Sequence, residues 1–268
     1  MKITVLIENA SIRPELESEH GLALWIEHEE STILFDTGES AAFAKNAKAL
    51  GIDLASADAI VISHGHYDHA GGLATAAEAV PATPVYVGPG STEPKFARRD
   101  TGIADIGFDP EVVRTLGERI RTVSNGDRIV PGVTVLGDFS SDSALPADNE
   151  RLLAGEPAHP HPDPFDDEIA LVVETNSGPV LITGCSHRGI GNIVSDATRQ
   201  FGPLAAILGG FHLHKESEER VASIAADLQG VPRVIGGHCT GESAMAVLRR
   251  ELGSAVSEFH AGSVIEIA

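Results

Sequence analysis

The stretch from Ser63 to Gly72 constrains this chain more than any other, because it packs metal-binding side chains directly behind an apolar run. Residues 58–62 (DAIVI) are typical of a short buried strand, so the stretch that follows is predicted to be a loop at a strand end. Four potential metal ligands lie within six positions of that loop: His64, His66, Asp68 and His69. Imidazole and carboxylate groups bind zinc, and also iron or manganese. The sequence therefore predicts a metal site here.

The spacing of these ligands would allow them to face two metal ions. His64 and His66 are two positions apart and point the same way in an extended segment, whereas Asp68 and His69 follow where the chain turns into the next element. We therefore expect two divalent ions, most readily zinc, with iron or manganese as alternatives. Asp68 is predicted to be both a ligand and a catalytic residue.

The pattern His64-x-His66-x-Asp68-His69 resembles the signature of the metallo-β-lactamase fold superfamily. This resemblance implies an α/β (α+β) fold, a four-layer αββα sandwich with a dinuclear metal site at one edge of its two sheets. No linker divides the chain, so residues 1–268 are expected to form a single domain.

The resemblance extends to later strand ends in the chain. It implies that His187, after the apolar run 179–183, and His238, after the run 231–237, are further metal ligands. Many members of the superfamily carry a bridging aspartate at the strand end that corresponds to residues 204–210, and this chain has none there. His212 is the nearest candidate, and it is either a ligand or a substrate contact.

Three other residues are candidates for positions near these ligands. The segment 33–38 resembles the first motif of the superfamily, in which the aspartate supports the metal loop; Asp36 has either that role or the role of capping a helix over residues 39–50. Cys185 and Cys239 each lie next to a ligand position, and small buried thiols are their default interpretation.

Several segments are candidates for substrate contacts. The polar stretch 9–21, which carries His20, is long for a hairpin and is predicted to be a functional loop. Residues 140–167 are rich in proline and are predicted to form a loop or lid. Arg188 departs from the superfamily pattern and either contacts a substrate phosphate or faces solvent. Lys95, Arg98 and Arg99 form a basic cluster, interpreted first as a solvated helix face and second as a contact for an anionic substrate.

Composition limits the partners of the chain. The formal net charge of −20 makes nucleic acid an improbable partner, because binding to a phosphate backbone needs a basic surface. Two cysteines are too few for a disulfide framework, and no apolar stretch approaches the roughly 20 residues that span a bilayer. The N-terminus has no signal-peptide pattern, so we expect a soluble cytoplasmic protein without a membrane partner. Its oligomeric state stays open.

Motifs in the second half of the chain resemble one branch of the superfamily, the one named for dihydropterin ribofuranosylaminobenzene-phosphate synthase. They are DPFDDE at 163–168, GCSH at 184–187, GGFHL at 209–213 and GHCTG at 237–241. The leading prediction is a metallo-hydrolase that activates water against an ester, thioester or phosphoester of a small molecule. The alternatives are a transferase that joins a dihydropterin diphosphate to an aminobenzene ribosyl phosphate, and a non-catalytic metal-binding protein.

Overall fold

The computed structural model describes all residues from 1 to 268. Its strands are β1 (Lys2–Ile7), β2 (Ala23–His28), β3 (Ser31–Phe35), β4 (Ala59–Ile62), β5 (Val85–Val87), β6 (Lys95–Arg99), β7 (Gly102–Asp105), β8 (Ile120–Thr122), β9 (Arg128–Val130), β10 (Val133–Leu136), β11 (Leu152–Ala154), β12 (His161–Pro162), β13 (Ala170–Val173), β14 (Val180–Ile182), β15 (Ala206–Gly210), β16 (Val234–Gly237), β17 (Val256–Glu258) and β18 (Val264–Glu266). Its α-helices are α1 (Ala42–Ala49), α2 (Tyr67–Ala70), α3 (Leu73–Ala79), α4 (Pro110–Leu116), α5 (Ile190–Phe201), α6 (Glu218–Asp227) and α7 (Glu242–Leu252). Single 3₁₀ turns form at Leu54–Ser56, Gly117–Arg119, Ala147–Arg151, His238–Thr240 and Gly253–Ala255.

Two seven-stranded sheets carry most of the chain. The first has the order β18-β1-β2-β3-β4-β5-β8, and the second has the order β17-β16-β15-β14-β13-β10-β9. Each sheet has a parallel half, formed by β3, β4, β5 and β8 in the first and by β14 to β17 in the second. The inner strands β4 and β14 are continuously apolar, as expected of parallel strands that are covered on both faces.

Three hydrophobic clusters define the layers. One cluster lies between the sheets and includes Val5, Phe35 and Leu171. A second packs α1, α3 and α4 on the outside of the first sheet, with Phe43 at its centre. A third packs α5, α6 and α7 on the outside of the second sheet around Phe211 and Leu248. The order helix, sheet, sheet, helix confirms the predicted αββα sandwich.

A third, four-stranded sheet was not anticipated from the sequence. Its order is β12-β11-β6-β7, and two of its strands come from the proline-rich segment 140–167. The interpretation of Lys95, Arg98 and Arg99 as a helix face is wrong, because all three lie on β6. The apolar pair Phe96 and Ala97 is buried in the middle of this strand, where pairing with β7 and β11 is more favourable than a helix.

The loops that carry the predicted ligands meet at one edge of the sandwich. They follow the carboxyl ends of β3, β4, β14, β15 and β16, and strands that run parallel end at the same sheet edge. This edge is where open α/β sheets bind ligands. None of the helices has the length and apolar character that crossing a membrane requires.

Candidate metal centre

The metal loop is a tight connection between β4 and α2. His64 and His66 lie in the extended segment, and His66 occupies the N-cap position of α2, so that Asp68 and His69 fall in the first turn of the helix. All four side chains are buried. Gly65 lies between the two histidines because the backbone passes close to another loop: a Cβ atom here would lie 2.3 Å from the Ser91 carbonyl oxygen.

The side chains form two adjoining groups of potential ligands. The first group contains Asp68, His69, Cys185 and His238, and the second contains His64, Cys185 and His187. In the first group, His69 Nε2 lies 3.1 Å from His238 Nε2 and 3.2 Å from Cys185 Sγ. Asp68 Oδ2 is 3.3 Å from His238 Nε2. The predicted ligands on three separate loops thus converge, as the sequence pattern required.

Unpaired nitrogen atoms in the site fit a metal ion. His66 Nε2, His187 Nε2 and both ring nitrogens of His212 are buried without a hydrogen-bond partner. Buried polar atoms in proteins are nearly always paired, because an unpaired one costs roughly 1–3 kcal/mol. Several such nitrogens that converge with a carboxylate and thiols are the donor set of a transition-metal site, so the residues present fit the predicted ions.

Cys185 is the residue that the sequence analysis underestimated. Its thiol belongs to both ligand groups, and to a third group with His212 and Cys239. The loop after β14 brings Cys185 into both groups, whereas His212, after β15, belongs only to this third group and to one with Asp148 and His214. The signal was present in the sequence: Cys185 lies two positions before His187, directly behind a buried strand.

Asp36 contacts the metal loop at three points. Its Oδ1 atom accepts a hydrogen bond from the Ser63 backbone N–H at 2.7 Å, and its Oδ2 atom lies 2.7 Å from His69 Nδ1 and 2.8 Å from Ser63 Oγ. Ser63 Oγ in turn lies 2.9 Å from His64 Nδ1. Helix α1 begins after Ala41 and has no side-chain cap, so Asp36 does not cap it. Its position fits the predicted role of a residue that orients two candidate metal ligands, His64 and His69.

Three further buried carboxylates hold the ligand-bearing backbone in position. Glu168 accepts hydrogen bonds from the N–H groups of His187 and Arg188, each at 2.7 Å. Glu8 accepts one from the His238 N–H at 2.8 Å, and Asp167 accepts one from the Gly65 N–H at 2.8 Å. Each ligand loop is thus fixed by an acid from a distant part of the chain. The sequence alone gave no sign of these long-range contacts.

Backbone strain is concentrated at this edge. Seven residues other than glycine have a positive φ, and five of them belong to the site or touch it: Asp36, Phe165, Ser186, His212 and His238. The ring of Phe165 stacks on His187 with a centroid distance of 4.4 Å. A left-handed backbone at residues other than glycine costs free energy and is retained where the surroundings fix a required geometry.

Burial and neighbouring charges set the protonation of the imidazoles. Burial lowers the pKa of His66 to about 3, so this ring is neutral and able to bind a metal. Burial also disfavours the charged form of His69, but the carboxylates of Asp36 and Asp68 outweigh it and raise the pKa of His69 to about 9. The same carboxylates would favour a bound dication, which would displace this proton. Burial raises the pKa of Glu168 to about 7, against the effect of the two N–H groups that it accepts.

A cavity of about 350 Å³ opens onto the two ligand groups. His20, one of the predicted substrate contacts, lines it: His20 Nε2 lies 3.3 Å from Asp68 Oδ2, and its ring stacks on His238. His212 also lines the cavity. Arg188 does not, because its guanidinium group binds the Pro164 and Phe139 carbonyls and the side chains of Asp166 and Ser141.

The predicted lid contributes directly to the cavity. Arg151 and Leu152 line it, and Asn149 Oδ1 lies 3.0 Å from His187 Nδ1. The segment is therefore partly ordered into β11, β12 and a 3₁₀ turn next to the site, and a lid motion stays a prediction.

Comparisons with known proteins agree with this geometry. The sequence model of the family described as the metallo-beta-lactamase superfamily matches residues 18–238. A protein of Methanocaldococcus jannaschii, named 7,8-dihydropterin-6-methyl-4-(beta-D-ribofuranosyl)-aminobenzene-5'-phosphate synthase, is 32% identical over 99% of this chain and 96% of its own length.

Solved structures repeat the same fold. One, described as Tm1679, a metal-dependent hydrolase of the beta-lactamase superfamily, is 34% identical, with a TM-score of 0.88 over 100% of this chain and 99% of the other. Zinc-bound PqqB from Methylobacterium extorquens superimposes with a TM-score of 0.63 over the full length of both chains. Its identity of 13% makes it similar in fold alone.

Proposed function

We propose, because the chain belongs to the metallo-beta-lactamase superfamily and is an enzyme, that it joins a dihydropterin diphosphate to an aminobenzene ribosyl phosphate at this metal centre. The observation that carries the proposal is the 32% identity to the synthase named above, which extends over nearly the whole of both chains. This is the transferase alternative of the sequence analysis, and the comparison favours it over the hydrolase that the sequence analysis ranked first.

The proposal assigns the ligands to two ions. His64, His66 and His187 would hold one ion, and Asp68, His69 and His238 would hold the other, with Cys185 between them and His212 within reach. The unpaired nitrogens of His66 and His187 support the first set, and the short distances among His69, His238 and Asp68 support the second. A thiol in this central position favours zinc over manganese, because thiolate is a soft ligand.

In the proposed reaction, the amine nitrogen of the aminobenzene attacks the pterin methylene carbon. The bond between that carbon and the diphosphate oxygen breaks, diphosphate leaves, and the nitrogen loses its proton. Bound dications would supply positive charge for the departing diphosphate. Asp68 and His20 line the cavity with their side chains 3.3 Å apart, and this pair is suited to accept the proton of the amine. Arg151 and Leu152 of the segment 140–167 line the cavity, and this segment would limit the entry of water.

The direct test is an assay of the zinc-loaded protein with both substrates, followed by mass spectrometry of the joined product and by release of diphosphate. The proposal expects product and diphosphate in equal amounts, and diphosphate only when both substrates are present. Release of phosphate or diphosphate without the aminobenzene substrate would refute the transferase proposal.

Hydrolysis is the second candidate function, because a structure that is 34% identical over the full chain is described as a metal-dependent hydrolase. It would use the same ligands, with a water molecule in place of the amine. Turnover of a generic phosphodiester and a thioester by the zinc-loaded protein would favour this candidate. A cytoplasmic location and the absence of a nucleic-acid partner stay predictions from composition.

A further inference from the structure

We propose that Arg99 and Arg151 form an anion-binding site at the wall of the cavity, which holds a phosphate group of the substrate that does not react. The proposal rests on the function proposed above, in that it takes the cavity to be the active site for a phosphorylated small molecule. It adds the residues that recognise the second phosphorylated end of the substrate pair.

The charges around the cavity are the first observation. Among its 16 lining residues, the only carboxylate is Asp68, which faces His69 and His238 in the metal centre. The only permanently cationic side chains are Arg99 and Arg151. The whole chain has a net charge of −20, so an anionic substrate is repelled by the molecule as a whole. A pair of guanidinium groups in the cavity lining would attract an anion locally against that repulsion.

The third sheet brings the two arginines together, although 52 positions separate them in the sequence. Strand β11 pairs with β6 in antiparallel register, with Leu152 opposite Ala97 and Leu153 opposite Phe96. Arg151 directly precedes β11, and Arg99 ends β6, so both arginines lie at the same end of this strand pair. Arg98 reaches across the same gap and donates to the Glu150 carbonyl at 2.9 Å.

Both guanidinium groups have N–H donors that no carboxylate of the chain occupies. Arg99 pairs with no carboxylate of the chain, and it lines the cavity beside Tyr67. Arg151 uses Nε and one terminal nitrogen on Asp148, at 2.7 Å each, and about half of its side chain is buried. Arg188, by contrast, has both terminal nitrogens bound by four protein groups, and only its buried Nε has no partner. Five N–H donors in a planar fork match the oxygens of a phosphate, which makes arginine pairs suited to this anion.

Position decides which phosphate binds there. A leaving diphosphate would bind at the ligand groups, which belong to loops of the two large sheets, whereas Arg99 ends β6 and Arg151 directly precedes β11 at the third sheet. They are therefore placed for the terminal phosphate of the aminobenzene ribosyl phosphate. Asp148 Oδ2 binds Arg151 and also lies 3.7 Å from His212 Nε2. Asp148 therefore connects Arg151 to the candidate metal centre.

The test uses ribose 5-phosphate as a probe, because it carries the phosphate but no leaving group. Binding to the zinc-loaded protein is measured by titration calorimetry for the wild type and for Arg99→Gln, Arg151→Gln and the milder Arg99→Lys, with ribose as the uncharged comparison. Arg121→Gln is the matched control, because Arg121 is an exposed arginine on β8, outside the cavity lining. Melting curves of each variant confirm that it is folded.

Each glutamine variant is expected to raise the dissociation constant of ribose 5-phosphate by roughly ten- to a hundred-fold, since hydrogen bonds to charged groups contribute about 1.5–3 kcal/mol. Arg99→Lys should fall between these variants and the wild type, and Arg121→Gln should match the wild type. The same order should appear after the zinc is removed. Binding that survives in both glutamine variants, or that disappears with the zinc alone, would overturn the proposal.

The two proposals can fail separately. If the joined product forms at the wild-type rate and Michaelis constant in Arg99→Gln and Arg151→Gln, the anion site is refuted and the transferase stands. If ribose 5-phosphate binds through these arginines but no joined product forms with the wild type, the anion site is supported and the transferase is refuted.

Discussion

Among single residues, Cys185 has the most consequential position. Its buried thiol is shared by both ligand groups, where the superfamily pattern had suggested an aspartate on a neighbouring strand. A thiolate in this position would bring one negative charge to both ions at once and would select softer metals. Cys239 belongs only to the group with His212, so the two thiols are not equivalent.

Replacement of Cys185 with alanine should therefore lower the zinc content more than replacement of Cys239. We expect Cys185→Ala to lose about one of two zinc equivalents after dialysis, because an ion then lacks its shared ligand. Cys239→Ala is the matched control, a buried thiol that contacts only one group. Elemental analysis of both variants measures the effect, and equal zinc content in the two would argue against a central role for Cys185.

Substitution of Asp36 tests whether a carboxylate that orients the ligands is needed for metal affinity. Asn at this position tolerates the positive φ of 58° but replaces one acceptor oxygen by a donor that faces His69 Nδ1 and Ser63 Oγ. We expect Asp36→Asn to weaken zinc binding roughly 10- to 100-fold in a competition titration with a chelator. Asp58→Asn is the control, since exposed Asp58 bonds only Thr32 on the far side of β4. A similar affinity in both variants would contradict the assigned role of Asp36.

At the scale of elements, a buried ion cluster connects the third sheet to the metal loop. Lys95 on β6 is only 4% exposed, and its Nζ atom lies 2.8 Å from Asp167 Oδ1 and 3.1 Å from Asp163 Oδ1. The other oxygen of Asp167 accepts the Gly65 N–H between the two histidines. The basic side chain that the sequence analysis assigned to a solvated surface is thus an internal support of the site.

Replacement of Lys95 with methionine should leave two buried carboxylates without a counter-charge. We expect Lys95→Met to reduce the free energy of unfolding by about 3–5 kcal/mol, because one partner of a buried ion pair has been removed. Urea unfolding followed by the fluorescence of Trp25, the single tryptophan, measures it. Lys45→Met is the control, since its exposed pair with Glu17 contributes under about 1 kcal/mol. An equal reduction in the free energy of unfolding in the two variants would show that the buried ion cluster contributes no more than an exposed ion pair.

The sequence could predict those features that depend on residues close together in the chain. His64 to His69 lie within one loop behind one strand, and His187 and His238 each end an apolar run, so short patterns were sufficient to find them. The pairing of β6 with β11 is different, because it joins segments more than 50 residues apart through backbone hydrogen bonds that leave no pattern in either segment. The supports from Glu8, Glu168 and Lys95, and the convergence of Arg99 with Arg151, depend on such long-range contacts and required the structure.

At the scale of the whole molecule, the candidate metal centre lies between the two halves of the sandwich. Asp36, His64 and Asp68 come from loops of the first sheet, whereas Cys185, His187 and His238 come from loops of the second. Ions bound between them would act as a clamp across the edge of the inter-sheet core. Metal binding and global stability are therefore expected to be linked.

Removal of zinc should lower the melting temperature of the wild type. At free zinc about 100-fold above its dissociation constant, linkage predicts about 2.7 kcal/mol of stabilisation for each bound ion, or roughly 5–10 °C per ion in the melting temperature of a domain of this size. Differential scanning calorimetry with and without a chelator measures the shift. The melting temperature of His64→Ala should fall less when the chelator is added. A wild-type melting temperature that the chelator does not change would contradict the linkage.

The most direct test of the central claim is the metal content of the protein, purified without a histidine tag and reconstituted with zinc. Elemental analysis should give about two equivalents of zinc per chain, and fewer in His187→Ala and His238→Ala, whose lost ligands belong to different groups. A wild-type protein that retains no zinc after reconstitution would contradict the assignment of this edge of the sandwich as a dinuclear metal centre.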